Sequence, residues 1–284
     1  MASLGRIITA IVTPFDARYH VDEDAFVGLM HHLADNGSDG FVVAGTTGEG
    51  STLDDEEHLA LVELAVRERP AGATIIANAG SNDTRHSIHL TERCTELGVD
   101  GTLNVVGYYN RPNRRGIVQH YRTVAAATDR PIVIYNIPSR STINLDPDLL
   151  AELGQIEHVD ALKQANGDEL QPIDGLDLYA GNDDILGRTL DLGGAGGICV
   201  ASHLVGPRMA EMVTATPERR AEIDAELHDL YEVLGVTVNP IPVKAALDLA
   251  GHPVGGLRLP LVEADAGERE RIRAVLADLG LLAA

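Results

Sequence analysis

The stretch GFVVAGTTGEGSTLDDEEHLALVELAVRERPAGATIIANAG, residues 40–80, carries two hydrophobic patterns. GFVVAG (40–45) and TIIANAG (74–80) are short, almost continuously apolar and rich in β-branched residues, as strands covered on both faces are. Between them DDEEHLALVELAVRER (54–69) is longer and amphipathic and opens on acidic residues, with Asp54 placed to cap a helix. The unit is strand, helix, strand. The same rhythm extends in both directions. Strand-like runs recur as RIITAIVTP (6–14), GTLNVV (101–106), PIVIYNIP (131–138), VDALKQA (159–165), LDLYAG (176–181) and GGICVAS (196–202). DTRHSIHLTERCTEL (83–97) is a second amphipathic stretch, with Gly98 placed as its C-cap.

Eight strands, each followed by a helix, in somewhat over 200 residues fit an α/β fold of the (β/α)₈ TIM-barrel type over residues 1–215. A doubly wound open sheet would leave two edge strands, and nothing in the sequence marks any strand with edge chemistry. Beyond residue 215 the strand runs stop. TPERRAEIDAELHDLYEVLG, NPIPVKAALDLAG and GERERIRAVLADLG make residues 216–284 a C-terminal helical extension.

Composition excludes several functions. The 284 residues carry 43 acidic against 22 basic side chains, a net charge of -21, with no basic block to grip a phosphate backbone. No nucleic-acid or membrane partner is expected, since no apolar run approaches ~18 residues. The N-terminal apolar patch is too short and too soon interrupted for a signal peptide, so a cytoplasmic protein is expected. Cys94 and Cys199 alone build neither a disulfide framework nor a zinc site. No phosphate-binding, nucleophile-elbow or HExxH motif occurs, and no metal is expected. Only two of the 22 basic residues are lysines, Lys163 and Lys244.

In such barrels the working face is the C-terminal end of the strands. Lys163 interrupts the apolar run VDALKQA, where a charged ammonium without a partner would cost several kcal/mol. Two readings follow. Burial favours a neutral amine able to attack a ketone as a Schiff-base lysine, or a nearby carboxylate pairs a purely structural one. Lys244, in PIPVKAALDLA, reads as a structural or surface residue of a helix. Tyr109 and Tyr135 fall at strand ends on one expected face with Thr46 and Lys163, all groups able to pass a proton. The turn Gly45-Thr46-Thr47-Gly48-Glu49 offers backbone N–H groups and two hydroxyls for a carboxylate. Arg140, after a strand exit, offers a fixed fork for a second carboxylate.

Together these segments resemble the dihydrodipicolinate synthase / N-acetylneuraminate lyase family of pyruvate-dependent class I aldolases, most of all its synthase branch. The resemblance rests on TAIVTPF near the N-terminus, GTTGE (45–49), YYNRP (108–112), YNIPSR (135–140), ALKQANGD (161–168), and NPIPVKAAL with LRLPLVE near the C-terminus. It implies an imine between Lys163 and pyruvate, proton transfer by Tyr135, and a relay through Thr46 and Tyr109. In the family the Tyr109 position is supplied across a subunit interface, which implies a homo-oligomer, usually a tetramer built as a dimer of dimers. Thr47 and its N–H would hold the pyruvate carboxylate, and the Gly181 and Ile198 backbones would line the pocket. No metal or organic cofactor is implied.

Arg140 matches the synthase arginine that binds the carboxylate of aspartate semialdehyde, on the way to lysine. The match departs at Ser141-Thr142, where synthases commonly have Thr-Gly, at Asn166, and at Gly50 after the Glu of GTTGE. These departures leave room for a lyase or dehydratase of the same family acting on a 2-keto-3-deoxy sugar acid or a related pyruvate adduct. A non-catalytic barrel would have no use for an imine-forming lysine. The resemblance also implies an effector pocket of Ser51, Asp55, His58, Asn82, His86 and Tyr108. Asp55 and His86 occupy positions where lysine-inhibited synthases have a His and a Glu, so weak or absent inhibition by L-lysine is expected.

Overall fold

All eight apolar runs form strands. β1 (Ile7–Ala10), β2 (Gly40–Val43), β3 (Thr74–Asn78), β4 (Gly101–Val105), β5 (Ile132–Asn136), β6 (Val159–Gln164), β7 (Asp177–Ala180) and β8 (Gly196–Cys199) run parallel in chain order. In the computed structural model, which describes residues 4–283, β8 pairs with β1 through Ile8 opposite Ile198. The sheet therefore closes into a barrel and has no edges, which disposes of the open-sheet alternative. Gly196 is required at that seam, because a Cβ there would lie 1.9 Å from the Arg6 carbonyl oxygen.

Helices α1 (Glu23–Asp35), α2 (Asp55–Arg67), α3 (Thr84–Leu97) and α4 (Arg114–Ala125) follow the first four strands. Short helices α5 (Pro138–Ser141) and α6 (Pro147–Leu153) follow β5, α7 (Leu186–Asp191) follows β7, and α8 (Ser202–Thr214) follows β8. The expected caps are present. Asp54 and Glu57 form a reciprocal capping box on α2, and Gly98 ends α3 at φ 89°. The alternation fails once, after β6, where a single 3₁₀ turn at Gly167–Glu169 replaces the expected helix. That connection is short and carries Pro172, which removes a backbone donor a helix would need.

Alternation along the strands divides the interior into two layers. Ile8, Ala10, Val42, Ile76, Leu103, Val133, Tyr135, Ala161, Tyr179 and Ile198 fill the barrel. The opposite faces pack against the helices in a second, larger cluster. Helices α9 (Pro217–Leu234), α10 (Ile241–Leu249) and α11 (Ala266–Asp278) complete the chain. They bury Leu227, Leu230, Val243, Leu247, Ile272 and Leu276 in that same outer cluster. Among the described residues no helix is long and apolar enough to cross a membrane.

His203, on α8, ties the ends of β1 and β8 together. Its Nε2 accepts from the Val12 N–H at 3.2 Å, and its Nδ1–H donates to the Val200 carbonyl at 2.8 Å. Accepting at Nε2 requires the neutral ring, and burial pushes its pKa down to about 4 from an ordinary 6.5. The unfolded chain binds this proton first, so the stability contributed by neutral His203 is complete above pH 6.5 and is lost as pH falls toward 4. Chemical denaturation at pH 7 and pH 5 should show a loss of about 2 kcal/mol from this residue alone. The His203→Gln variant should show a correspondingly smaller pH dependence.

Candidate active site

The register places Lys163 on β6 opposite Tyr135 on β5 and Tyr179 on β7, both of which belong to the inward layer. Its Nζ lies 4.3 Å from the Tyr135 ring centroid, and the residue is 5% exposed. Among the described residues Lys163 makes no ion pair: the buried lysine that is paired with a carboxylate is Lys244. Of the two readings open for Lys163, the structural one is therefore not the arrangement observed. The neighbouring strands are locked one residue further on. Asn136 Nδ2 donates to Gln164 Oε1 at 3.0 Å and to Asn144 Oδ1 at 3.1 Å, while the Leu145 N–H donates to Asn136 Oδ1 at 3.1 Å. Because side chains alternate along a strand, these outward-facing amides fix Tyr135 and Lys163 without entering their side of the sheet.

A cavity of about 480 Å³ opens above Lys163, lined also by Thr46, Thr47, Tyr135 and Arg140. Five of the sequence candidates thus meet in one place. Thr47 is buried and its Oγ1 accepts from Asn239 Nδ2 at 2.9 Å, whereas Thr46 is exposed at the mouth. Arg140, on α5, donates from Nη2 to the Asn239 carbonyl at 3.4 Å. Ile198 is fully buried in the inner layer, and the Gly181 N–H donates to the Gln164 carbonyl at 2.7 Å; neither lines this cavity.

Tyr109 is the exception to the expected shared face. Its backbone is left-handed, at φ 68°, the side chain is 90% exposed, and it does not line the cavity. One chain by itself does not bring Tyr109 to Lys163.

Residues missed in the sequence also shape the site. Asp183, Tyr231 and Asn239 line the lysine cavity. The Asp183 carboxylate accepts from the Val200 and Ala201 N–H groups at 2.9 and 3.0 Å; burial pushes its pKa up and these bonds oppose the shift. Its position in the Asn-Asp-Asp run just after a strand end was the available signal. Asn239 opens the NPIPVKAAL segment of the family resemblance, which by itself does not say that the residue reaches the cavity. Cys199 is free and buried, and that burial drives its thiol well above the ordinary value.

A second cavity of about 560 Å³ shares Thr46, Tyr135 and Arg140 with the first and extends to Ser51, Asp55, His58, His86 and Tyr108. His86 Nε2 and Asp55 Oδ1 are 2.9 Å apart. Asn82 joins through its Nδ2, which donates to the Tyr108 carbonyl at 3.4 Å. Burial pushes the pKa of His58 down. The expected effector residues are therefore neighbours. Among the described residues no group of three His, Cys, Asp or Glu side chains is arranged to hold a metal.

A closed parallel barrel whose sixth strand carries, at its mouth, a lysine without an ion pair among the described residues defines the class: a (β/α)₈-barrel lyase of the class I, Schiff-base kind. The family model for the dihydrodipicolinate synthetase family matches residues 3–279. The chain is 44% identical over 293 aligned residues to the 4-hydroxy-tetrahydrodipicolinate synthase of Moorella thermoacetica, covering 98% of this chain and 99% of that one. A crystal structure of dihydrodipicolinate synthase from Cyanidioschyzon merolae with lysine bound superposes at a TM-score of 0.93, with 40% identity over 98% of this chain and 99% of that one. The chloride-inhibited enzyme of Acinetobacter baumannii, complexed with pyruvate, superposes at 0.95 with 32% identity, over 99% and 100% of the two chains. The chain belongs to the dihydrodipicolinate synthetase family.

Proposed function

We propose that this chain is a 4-hydroxy-tetrahydrodipicolinate synthase, condensing pyruvate with L-aspartate 4-semialdehyde through an imine at Lys163. The observation that carries the reading is a buried lysine that has no carboxylate partner among the described residues, in one cavity with Tyr135, Thr47 and Arg140. Lys163 Nζ adds to C2 of pyruvate, and loss of water gives the imine. Its cationic nitrogen takes up the electron pair left when a methyl proton departs, forming an enamine. The enamine carbon bonds to the aldehyde carbon, whose oxygen gains a proton. Attack of the aldehyde's own amine on C2 then closes a six-membered ring and frees Lys163. The net change is loss of one water.

Tyr135 moves protons in these steps, with Thr46 and the Tyr109 of a second subunit as its relay. The 90% exposure of Tyr109 supports that exchange. The reading thus carries a homo-oligomer with it, a tetramer by family resemblance, and a cytoplasmic location. Thr47 and its N–H hold the pyruvate carboxylate, and the Gly181 and Ile198 backbones support the reacting carbons. No metal or organic cofactor is required.

Arg140 favours a carboxylated aldehyde over a sugar acid. Three of the departures that left the second possibility open also make local backbone or side-chain contacts. Ser141 Oγ donates to the Ile137 carbonyl at 2.9 Å, Thr142 takes the left-handed backbone at φ 60°, and Asn166 Nδ2 donates to Asn144 Oδ1 at 3.2 Å.

Borohydride reduction in the presence of pyruvate should add a reduced pyruvyl group to the peptide containing Lys163, read by mass mapping. An adduct elsewhere, or none, overturns the mechanism. In a panel of aldehydes scored by kcat/KM, aspartate semialdehyde should lead, and Arg140→Ala should raise its KM roughly 10- to 100-fold, the loss of a charge-assisted contact. An equal effect on an uncharged aldehyde would remove Arg140 from substrate recognition. For the effector pocket we expect weak or no inhibition by L-lysine, because the Asp55 carboxylate is already engaged by His86. A sub-millimolar inhibition constant in a steady-state assay would contradict this.

A further inference from the structure

Lys244 occupies the driest position of any cation in the site's surroundings. Its side chain is 2% exposed and its partner Glu49 is 0% exposed, with Nζ and Oε1 2.6 Å apart. Nζ also donates to the Gly256 carbonyl at 2.7 Å and stands 4.3 Å from the Phe15 ring centroid. Glu49 Oε2 accepts from the Arg258 N–H at 3.0 Å, and the Arg258 fork holds Glu57 through two contacts of 2.6 Å. Gly255 lets this segment press onto the turn after β1: its φ is 70°, and a Cβ would lie 1.9 Å from the Phe15 carbonyl oxygen.

Both ends of the pair lead to the cavity. Glu49, itself left-handed at φ 53°, closes the turn that presents Thr46 and Thr47. Lys244 stands on the first turn of the helix that follows Asn239. Asn239 in turn donates to Thr47 Oγ1 at 2.9 Å and accepts from Arg140 at 3.4 Å.

We propose that Lys244 and Glu49 are a positioning pair, which through Asn239 holds Thr47 and Arg140 at the spacing that two carboxylated substrates require. The inference rests on the pyruvate-and-aldehyde reading of the cavity. It also accounts for a second lysine in a chain that otherwise uses arginine. The ammonium finds a carboxylate, a carbonyl and a ring face around a single point, whereas a planar guanidinium would leave several of its five N–H groups without acceptors there.

Removing one partner strands a buried charge and is strongly destabilising, so single variants confuse position with stability. Lys244→Met combined with Glu49→Gln removes both charges at nearly constant volume. Asn239→Ala leaves the pair intact and cuts its path to Thr47. For each protein three quantities are measured: Tm, the pyruvate concentration giving half-maximal borohydride-trapped adduct, and KM for the aldehyde. The double variant should melt within a few degrees of the wild type. Half-saturating pyruvate and aldehyde KM should rise together, roughly 10- to 100-fold, in both the double variant and Asn239→Ala. Lys244→Arg should not preserve the wild-type values. A folded double variant with wild-type saturation by both substrates overturns the proposal; if the double variant does not fold, wild-type saturation in Asn239→Ala does so. Absence of any adduct in the wild type overturns the pyruvate reading itself, and this proposal with it.

Discussion

Hydrogen bonding between β1 and β8 closes the sheet, and the chemistry at its mouth depends on that closure. Parallel strands all end on the same rim, so groups from sequence positions 46, 135 and 163 converge without any long-range search by flexible loops. Closure also removes edges and leaves every strand buried on both faces, which is why the strands read as continuous apolar runs. His203 and Gly196 reinforce the seam from opposite sides, one by bridging backbone groups and one by having no side chain.

Two buried lysines meet the same desolvation cost in opposite ways. Lys244 is surrounded by Glu49, a carbonyl and an aromatic face, and burial still pulls its pKa below the ordinary value while Glu49 opposes that shift. Lys163 has a tyrosine ring and an open cavity in place of a carboxylate, which leaves its nitrogen accessible to a ketone. Arginine could replace neither: at 163 it has no nucleophilic neutral form, and at 244 its fork does not match the acceptors.

Much of this was legible in the chain. Hydrophobic runs of the right length marked all eight strands, Asp54 and Gly98 marked helix ends, and Lys163 stood out by breaking an apolar run. The missing helix after β6 was less visible, because a rhythm of seven repeats implies an eighth and only Pro172 argued against it. Tyr109 lies apart from the Lys163 cavity of its own chain for a different reason. Proximity in sequence to a strand end says nothing of a left-handed residue that turns the side chain out to solvent.

The sequence by itself determined the barrel, the family resemblance and the candidate nitrogen, because periodicity and residue type are local properties. Tertiary structure alone decided which lysine is paired, since Glu49 and Lys244 are far apart along the chain and share no pattern. It also recruited Asn239, whose two contacts reach Thr47 and Arg140 across the barrel mouth. Polar contacts of that kind depend on where separate loops come to rest once the sheet has closed, and no local spacing encodes them.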